Sequence, residues 1–243
     1  MTRTSCAACP LRRFEVFEAF SADDIAFTQS FKSGEMQVEP GTTLMLEGMP
    51  SPQLFTVLAG LGLRHKTLED GQRQVINFVL PGDLIGLQAA IMGEMAHSVE
   101  ATTDMTLCVF NRADLWRLFR TQPQRAFDLT WLSAVEEHFL GETLVALGRR
   151  SAQQRVAWAL VRIHARLRAV GMDHNGAVPM PWRQRDLADA LGLSLVHTNK
   201  TLGRLRDSGL ARWSDGTLLI PDMAALARMA GIDLAAPPPR PLI

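Results

Sequence analysis

The chain is 243 residues long, 47% hydrophobic and 21% charged, with a formal net charge of zero. That is enough apolar material for one large domain or two modest cores. No run approaches the roughly 18 uncharged apolar residues that span a bilayer, and the opening MTRTSCAACPLRRF lacks the apolar stretch of a signal peptide, so a cytoplasmic, membrane-free protein is expected. The charge is unevenly placed: residues 1–146 carry −7 and residues 147–243 carry +7. A basic half joined to an acidic half is what a nucleic-acid-binding module attached to a non-binding one looks like. Three cysteines, Cys6, Cys9 and Cys108, are too few and too odd in number for a secreted disulfide scaffold.

Residues 1–20 form a cysteine-bearing segment, with Cys6 and Cys9 in a C-x-x-C. Over 21–122 short apolar runs alternate with glycine-bearing turns: TLMLEG, LFTVLAG, LGLRHKTLEDG, QVINFVLPGD, then VEATTDMTLCVF. Turns every 8–12 residues or so predict a compact antiparallel barrel or sandwich rather than strand–helix–strand units. Gly48, Gly60, Gly71 and Gly82 are its expected corners, and Asp70-Gly71 tolerates the positive φ of a tight hairpin. A helical stretch is expected near 87–92.

From Arg112 the period becomes helical. A short helix is predicted over 114–119 and a long one within 123–148, where Leu129, Leu132, Val135, Phe139, Leu140, Leu144 and Leu147 recur mostly at steps of three and four. Such a stripe is either core or a dimer seam, and periodicity does not decide between them. Gly148-Arg149-Arg150-Ser151 breaks the pattern, and Ser151 with Gln154 suits a capping box for a new helix over 152–170. We place the domain boundary there, with a second domain over 149–243. Residues 171–181 read as a loop or hairpin.

Residues 181–222, PWRQRDLADALGLSLVHTNKTLGRLRDSGLARWSDGTLLIPD, carry the most information. An amphipathic helix over 183–190, with Leu187 and Ala190 inward, meets Gly192, where a tight turn needs a residue without a Cβ. Ser194 then caps a second helix running to about 208, with Val196, Leu202 and Leu205 expected inward. ARWSDGTLLI, turning at Asp215-Gly216, reads as a hairpin wing. This is the pattern of a helix-turn-helix, whose second helix sends side chains from its N-terminal part into the major groove while the first helix and nearby amides hold phosphate. Arg183, Gln184, Ser194, His197, Thr198, Asn199, Lys200 and Arg204 are the candidate DNA-binding residues. Asn199 suits an adenine edge, Lys200 and Arg204 guanine or phosphate, and His197 either. The alternative, a helical hairpin with a solvated basic face, does not explain why turn glycine, cap serine, wing and charge all agree. The PPPRPLI segment is expected to be unstructured, since consecutive prolines cannot continue a helix.

The order glycine-punctuated β-roll, long helix, winged helix-turn-helix resembles the Crp/Fnr superfamily of transcription regulators, through LMLEG, LFTVLAG, VLPGDLIGL, GRRSAQQRVAWAL and DLADALGLSLVHTNKTLGRL. The resemblance implies an α+β protein: an N-terminal cupin-like β-roll of the cyclic-nucleotide-binding type serving as sensor, a long dimerisation helix, and a C-terminal winged helix-turn-helix. It also implies a homodimer along the long helix through Leu129, Leu132, Val135, Phe139, Leu140 and Leu144. Such a dimer would bind a palindromic double-stranded DNA operator, with RNA polymerase as a further partner.

The family's cyclic-nucleotide branch anchors phosphate with an Arg-Ser pair and ribose with a Glu. Here Met95-Ala96 and Leu87 stand at those places, which argues against cyclic AMP, because a buried phosphate would lack its counter-charge. The oxygen-sensing branch holds a [4Fe–4S] cluster with an N-terminal cysteine cluster and one β-roll cysteine. Cys6, Cys9 and Cys108 occupy comparable places. A fourth cysteine is missing, so Glu15, another oxygen ligand, a histidine or an exogenous ligand would have to complete the set. Cys6 and Cys9 also suit zinc or a thiol–disulfide switch, and with no role for the cysteines beyond a buried strand position for Cys108 the alternative is a regulator of the same type that senses another small ligand in the β-roll with no metal. No nucleophile elbow, phosphate loop, zincin motif or paired-carboxylate setting points to an enzyme. A cyclic-nucleotide-binding-like module that regulates a partner protein is the non-regulator alternative, and the helix-turn-helix argues against it.

Overall fold

The computed structural model describes residues 4–234 and 238–243. The chain divides into two units: Met1–Lys66, Phe78–Glu136 and Pro238–Ile243 form the first, and Thr67–Asn77 with Glu137–Pro237 the second.

The first unit opens with two short 3-10 helices, Cys6–Ala8 and Pro10–Arg13, followed by helix α1 (Ala22–Phe31). Ser21 caps it reciprocally: Asp24 N donates to Ser21 Oγ at 3.1 Å and Ser21 N to Asp24 Oδ2 at 2.9 Å. The strands follow as β1 (Lys32–Val38), β2 (Thr43–Met45), β3 (Gln53–Ala59), β4 (Gly62–Thr67), β5 (Arg73–Val79), β6 (Leu84–Ile85), β7 (Ser98–Ala101) and β8 (Met105–Asn111), with α2 (Leu87–Met92) between β6 and β7. They form two four-stranded sheets, ordered β1-β8-β3-β6 and β2-β7-β4-β5. Val57, Val79, Val99 and Leu107 are fully buried between them, joined by Met45, Phe55, Ile85 and Met95. Strand alternation explains this arrangement: β-branched and aromatic residues face the core at every second position. At the Pro81-Gly82 corner Gly82 has φ +88° and lies against the Phe17 ring, so neither the backbone angle nor the space admits a Cβ.

Helices α3 (Leu115–Thr121) and α4 (Pro123–Arg149) follow. Leu115, Leu118 and Leu129 pack with Phe31, Leu54, Phe110 and Ile243 in a second apolar cluster.

His97 is 8% exposed, and its burial together with the nearby Arg64 guanidinium holds the imidazole pKa down from 6.5 to about 4. The folded chain therefore resists a proton that the unfolded chain accepts. Stability is expected to be full above pH 6.5 and to be lost progressively as pH falls toward 4, by on the order of 2–3 kcal/mol. Urea midpoints measured between pH 7.5 and 4.5 check this, because His97→Gln should flatten that part of the profile.

The expectation of an unstructured PPPRPLI segment is overturned for residues 238–243; Pro237 lies outside the described residues. Arg240 N donates to Val16 O at 2.8 Å and Glu18 N to Arg240 O at 3.0 Å. The Arg240 guanidinium pairs with Asp83 at 3.1 Å and donates to Gly82 O at 2.9 Å. Thr56 Oγ1 donates to Ile243 O at 2.6 Å, and Leu242 and Ile243 are buried. Prolines forbid a helix but favour extended chain, and an extended segment can borrow hydrogen bonds from a neighbour.

In the second unit α5 (Ala152–Ala169) starts at the expected Ser151–Gln154 capping box. Then come β9 (Ala177–Pro179), α6 (Gln184–Leu191), α7 (Leu195–Asp207), β10 (Arg212–Ser214), β11 (Thr217–Leu219) and α8 (Met223–Ala230), with a sheet ordered β10-β11-β9. Val156, Leu160, Leu167, Leu187, Leu205, Leu218 and Leu226 are fully buried. Helix α8, capped by Asp222 and packed on α5, is an addition to the elements expected from sequence.

Candidate nucleic-acid interface and cysteine cavity

Helices α6 and α7 meet at Gly192, whose φ of +60° and ψ of 38° are left-handed and cheap only without a Cβ. Ser194 Oγ accepts from His197 N at 3.2 Å, satisfying an otherwise orphaned amide at the start of α7. At the start of α6, Asp186 plays the same part, accepting from Arg183 N at 2.8 Å, and its other oxygen pairs with Arg73. Beyond α7, Asp215 and Gly216 both take positive φ, +51° and +69°, to turn β10 into β11. Each local signal thus fixes one joint of a winged helix-turn-helix.

The phase of α7 differs from the expected one. Thr198, Thr201 and Leu205, at steps of three and four, are at most 1% exposed and form its inward stripe, whereas Val196, placed inward by its apolar character, is 78% exposed. Thr198 therefore cannot touch DNA. Helix geometry outranks residue type here: Ser194 fixes where the helix starts, and rotation then decides who faces in. His197, Asn199, Lys200 and Arg204 are exposed, as are Arg183 and Ser194, while Gln184 is half-buried. Val196, Lys200 and Arg204 follow one another at four-residue steps on the outward side. Arg185, not singled out from sequence, is also exposed on α6.

Helix α4 sorts its stripe in a comparable way. Leu129, 2% exposed, belongs to the first unit's own core and is no seam residue; Leu132 packs against the same cluster. Phe139 stacks on Trp158 with centroids 6.3 Å apart beneath the Arg162 guanidinium. Val135, Leu140 and Leu144 remain 42–73% exposed, joined by Phe127 and Val145, which stand outside the expected stripe.

Cys6, Cys9 and Cys108 line one cavity of about 30 Å³, closed in part by Leu242 and Ile243 and shared with Lys32 and Arg12. Cys108 sits on β8 opposite Glu35 of β1 and Thr56 of β3. Burial pushes its thiol up to about 11 and raises that of Cys6 as well, with Lys32 partly offsetting both. Lys32 Nζ donates to Glu35 at 2.6 Å and to Thr4 O at 2.8 Å. Neither Glu35 nor Glu15 lines the cavity; Glu35 is the carboxylate placed across the strand pair from Cys108, whereas Glu15 is exposed. Among the described residues no three His, Cys, Asp or Glu side chains form a group that could hold a metal ion.

A unit of paired four-stranded sheets with a long helix, and a unit built on a winged helix-turn-helix, make the architecture of a DNA-binding regulatory protein. Residues 35–122 match the cyclic nucleotide-binding domain family and residues 154–229 the Crp-like helix-turn-helix domain family. The nitrogen fixation regulation protein FixK of Azorhizobium caulinodans is 32% identical over 72% of this chain and 71% of its own length. The transcriptional activator protein FnrL of Cereibacter sphaeroides is 27% identical over 94% and 92%. The structure of FixK2 from Bradyrhizobium japonicum matches with a TM-score of 0.73 at 27% identity, covering 84% of this chain and 98% of that one. The chain belongs to the Crp/Fnr family of transcription regulators. Among the described residues no helix is long and apolar enough to cross a membrane.

Proposed function

We propose that the protein is a homodimeric regulator that reads redox or oxygen state through Cys6, Cys9 and Cys108. In this reading its two α7 helices read a palindromic operator, and RNA polymerase is the partner it acts on. The observation that carries the sensing role is the convergence of three cysteines, two near the N-terminus and one on β8, on one cavity. The exposed Val135, Leu140 and Leu144 of α4 supply an apolar seam for a second copy.

Three cysteines on one cavity are the donor chemistry of a [4Fe–4S] cluster, although the cavity of about 30 Å³ would have to widen to admit one. Cys6, Cys9 and Cys108 would hold three corners, and Lys32 and Arg12 would offset the negative charge; Glu35, across from Cys108 but outside the cavity lining and bonded to Lys32, would have to turn to supply an oxygen to the fourth. When bound, such a cluster supplies one-electron chemistry and reactivity toward oxygen. The chain's own residues would supply the thiolates, screen their charge through Lys32 and Arg12 and, through Leu242 and Ile243, restrict water. Met95, buried in the core where the cyclic-nucleotide branch places its arginine, supports a signal other than cyclic AMP.

Anaerobic purification followed by an absorbance spectrum, iron and sulfide analysis and a gel shift, repeated after air exposure, tests this reading. A brown protein that bleaches in air and loses DNA binding with it is the expected result. Cys108→Ser should abolish the colour and leave the fold intact. A colourless, iron-free protein whose DNA binding ignores oxidants would overturn the sensing role.

A further inference from the structure

Val196 has no folding role that accounts for its place. It is the second residue of α7, 78% exposed, and its neighbour Leu195 is 43% exposed. The inward stripe of the helix is complete without it, in Thr198, Thr201 and Leu205. Valine is also a mediocre helix former, because its branched Cβ restricts χ1. An exposed valine on an arbitrary surface means little. This one stands in the first turn of the helix that enters the major groove, followed by Lys200 and Arg204 at four-residue steps on the same side.

The first-turn residues of such a helix are those that reach base edges. In the major groove a base pair offers donors, acceptors and one apolar group, the C5-methyl of thymine. An uncharged branched side chain has nothing to give a donor or acceptor and can contribute only by covering that methyl. Lys200 and Arg204, further along the helix, supply the cations that bring the helix into the groove and hold it there.

We propose that Val196 is a specificity-determining residue that packs against a thymine methyl group in each operator half-site, with Leu195 flanking it. The inference rests on the reading of α7 as the major-groove helix, and it assigns one base of the operator to one side chain. The side chain leaves the chain's own packing unchanged when shortened, so its replacement tests recognition rather than folding.

The test starts from duplexes selected out of a random library by the full-length protein. Each thymine of the selected site is then replaced singly by deoxyuridine, which removes the methyl and keeps every hydrogen bond. At one thymine per half-site the wild-type protein is expected to lose about threefold to tenfold in affinity, the effect of uncovering one methyl-sized group. Val196→Ala should bind the unmodified site more weakly by a similar factor, be indifferent to deoxyuridine there, and select a site with that position relaxed. A thymine whose methyl matters equally to wild type and to Val196→Ala, or a variant that selects the wild-type site with unchanged affinity, would overturn the assignment of Val196 while leaving the helix-turn-helix reading in place. Failure of the wild type to select any sequence would overturn both.

Discussion

A chain carrying Lys200→Ala and Arg204→Ala together is expected to bind its operator about 100-fold more weakly than the wild type, or worse. Each side chain alone is worth about 1–3 kcal/mol when it touches a base edge. Their four-residue spacing makes the sum approximate, since neighbours that share a phosphate or a base couple. The salt dependence separates the roles. Removing a residue that neutralises phosphate lowers the slope of log affinity against log salt by about 0.9 for each phosphate deprived of its cation, and weakens all sequences alike. Removing a residue that reads a base leaves the slope nearly unchanged and relaxes one position. Fluorescence anisotropy at several salt concentrations, on operator and on scrambled DNA, reports both. Both side chains are exposed and neither has a partner in the fold's core, so the melting temperature should stay within a degree or two. Undiminished binding by the double variant would move the interface off α7.

Arg125→Ala is expected to cost the first unit about 3–5 kcal/mol of folding free energy. Arg125 is 5% exposed, pairs with Asp128 and with Asp24, each at 2.9 Å, and lies 4.1 Å from the centroid of the Phe20 ring. Asp128 is itself 3% exposed, so removing the guanidinium strands a carboxylate away from water. Most of the stability should return in Arg125→Met combined with Asp128→Asn, which removes the charge along with its partner and restores the stem that packs on Phe20. A useful contrast is Arg206→Ala. Arg206 pairs with Asp207 at 2.8 Å, but the side chains are 63% and 68% exposed, and such a pair is worth about 0–1 kcal/mol. Urea unfolding monitored at two probes, one for each unit, should show the Arg125 effect in one transition only. An effect of Arg125→Ala as small as that of Arg206→Ala would mean that the pair is hydrated in solution.

The helix-turn-helix was legible because its signals are local. Gly192 must turn, Ser194 must cap, and Asp215-Gly216 must adopt positive φ; each requirement is met within a few residues and leaves a mark in the sequence. What the local reading missed was the rotation of α7. It assigned Val196 inward and Thr198 outward from polarity, whereas the cap fixes the start of the helix and thereby its phase. Thr201 bonds its buried hydroxyl to His197 O at 2.9 Å within its own helix, whereas the buried Thr198 hydroxyl has no hydrogen-bond partner among the described residues, so polarity is a poor guide to facing at such positions. The stripe on α4 is apolar, yet periodicity does not say what covers it: Leu129 and Phe139 are covered by the chain itself, Leu140 and Leu144 are not. The cysteines' meeting at one cavity followed from the family resemblance alone, and the nearby carboxylate came out as Glu35 because strand register, absent from a local reading, sets it opposite Cys108. Likewise Pro238–Ile243 carries no period, and its docking depends on Asp83, 157 residues away from Arg240.

That docking makes the first unit a closure of segments far apart in sequence. Thr56 and Ile243 are joined across a sequence separation of 187, so a ribosome must deliver the whole second unit before the first can gain this extended segment. Pairings of such high order form late, because loop closure is opposed by chain entropy before the pairing rewards it. During synthesis the emerging sheets spend that interval with the cysteine cavity lacking Leu242 and Ile243, its thiols more open to whatever metal or oxidant the surroundings hold than at any later time.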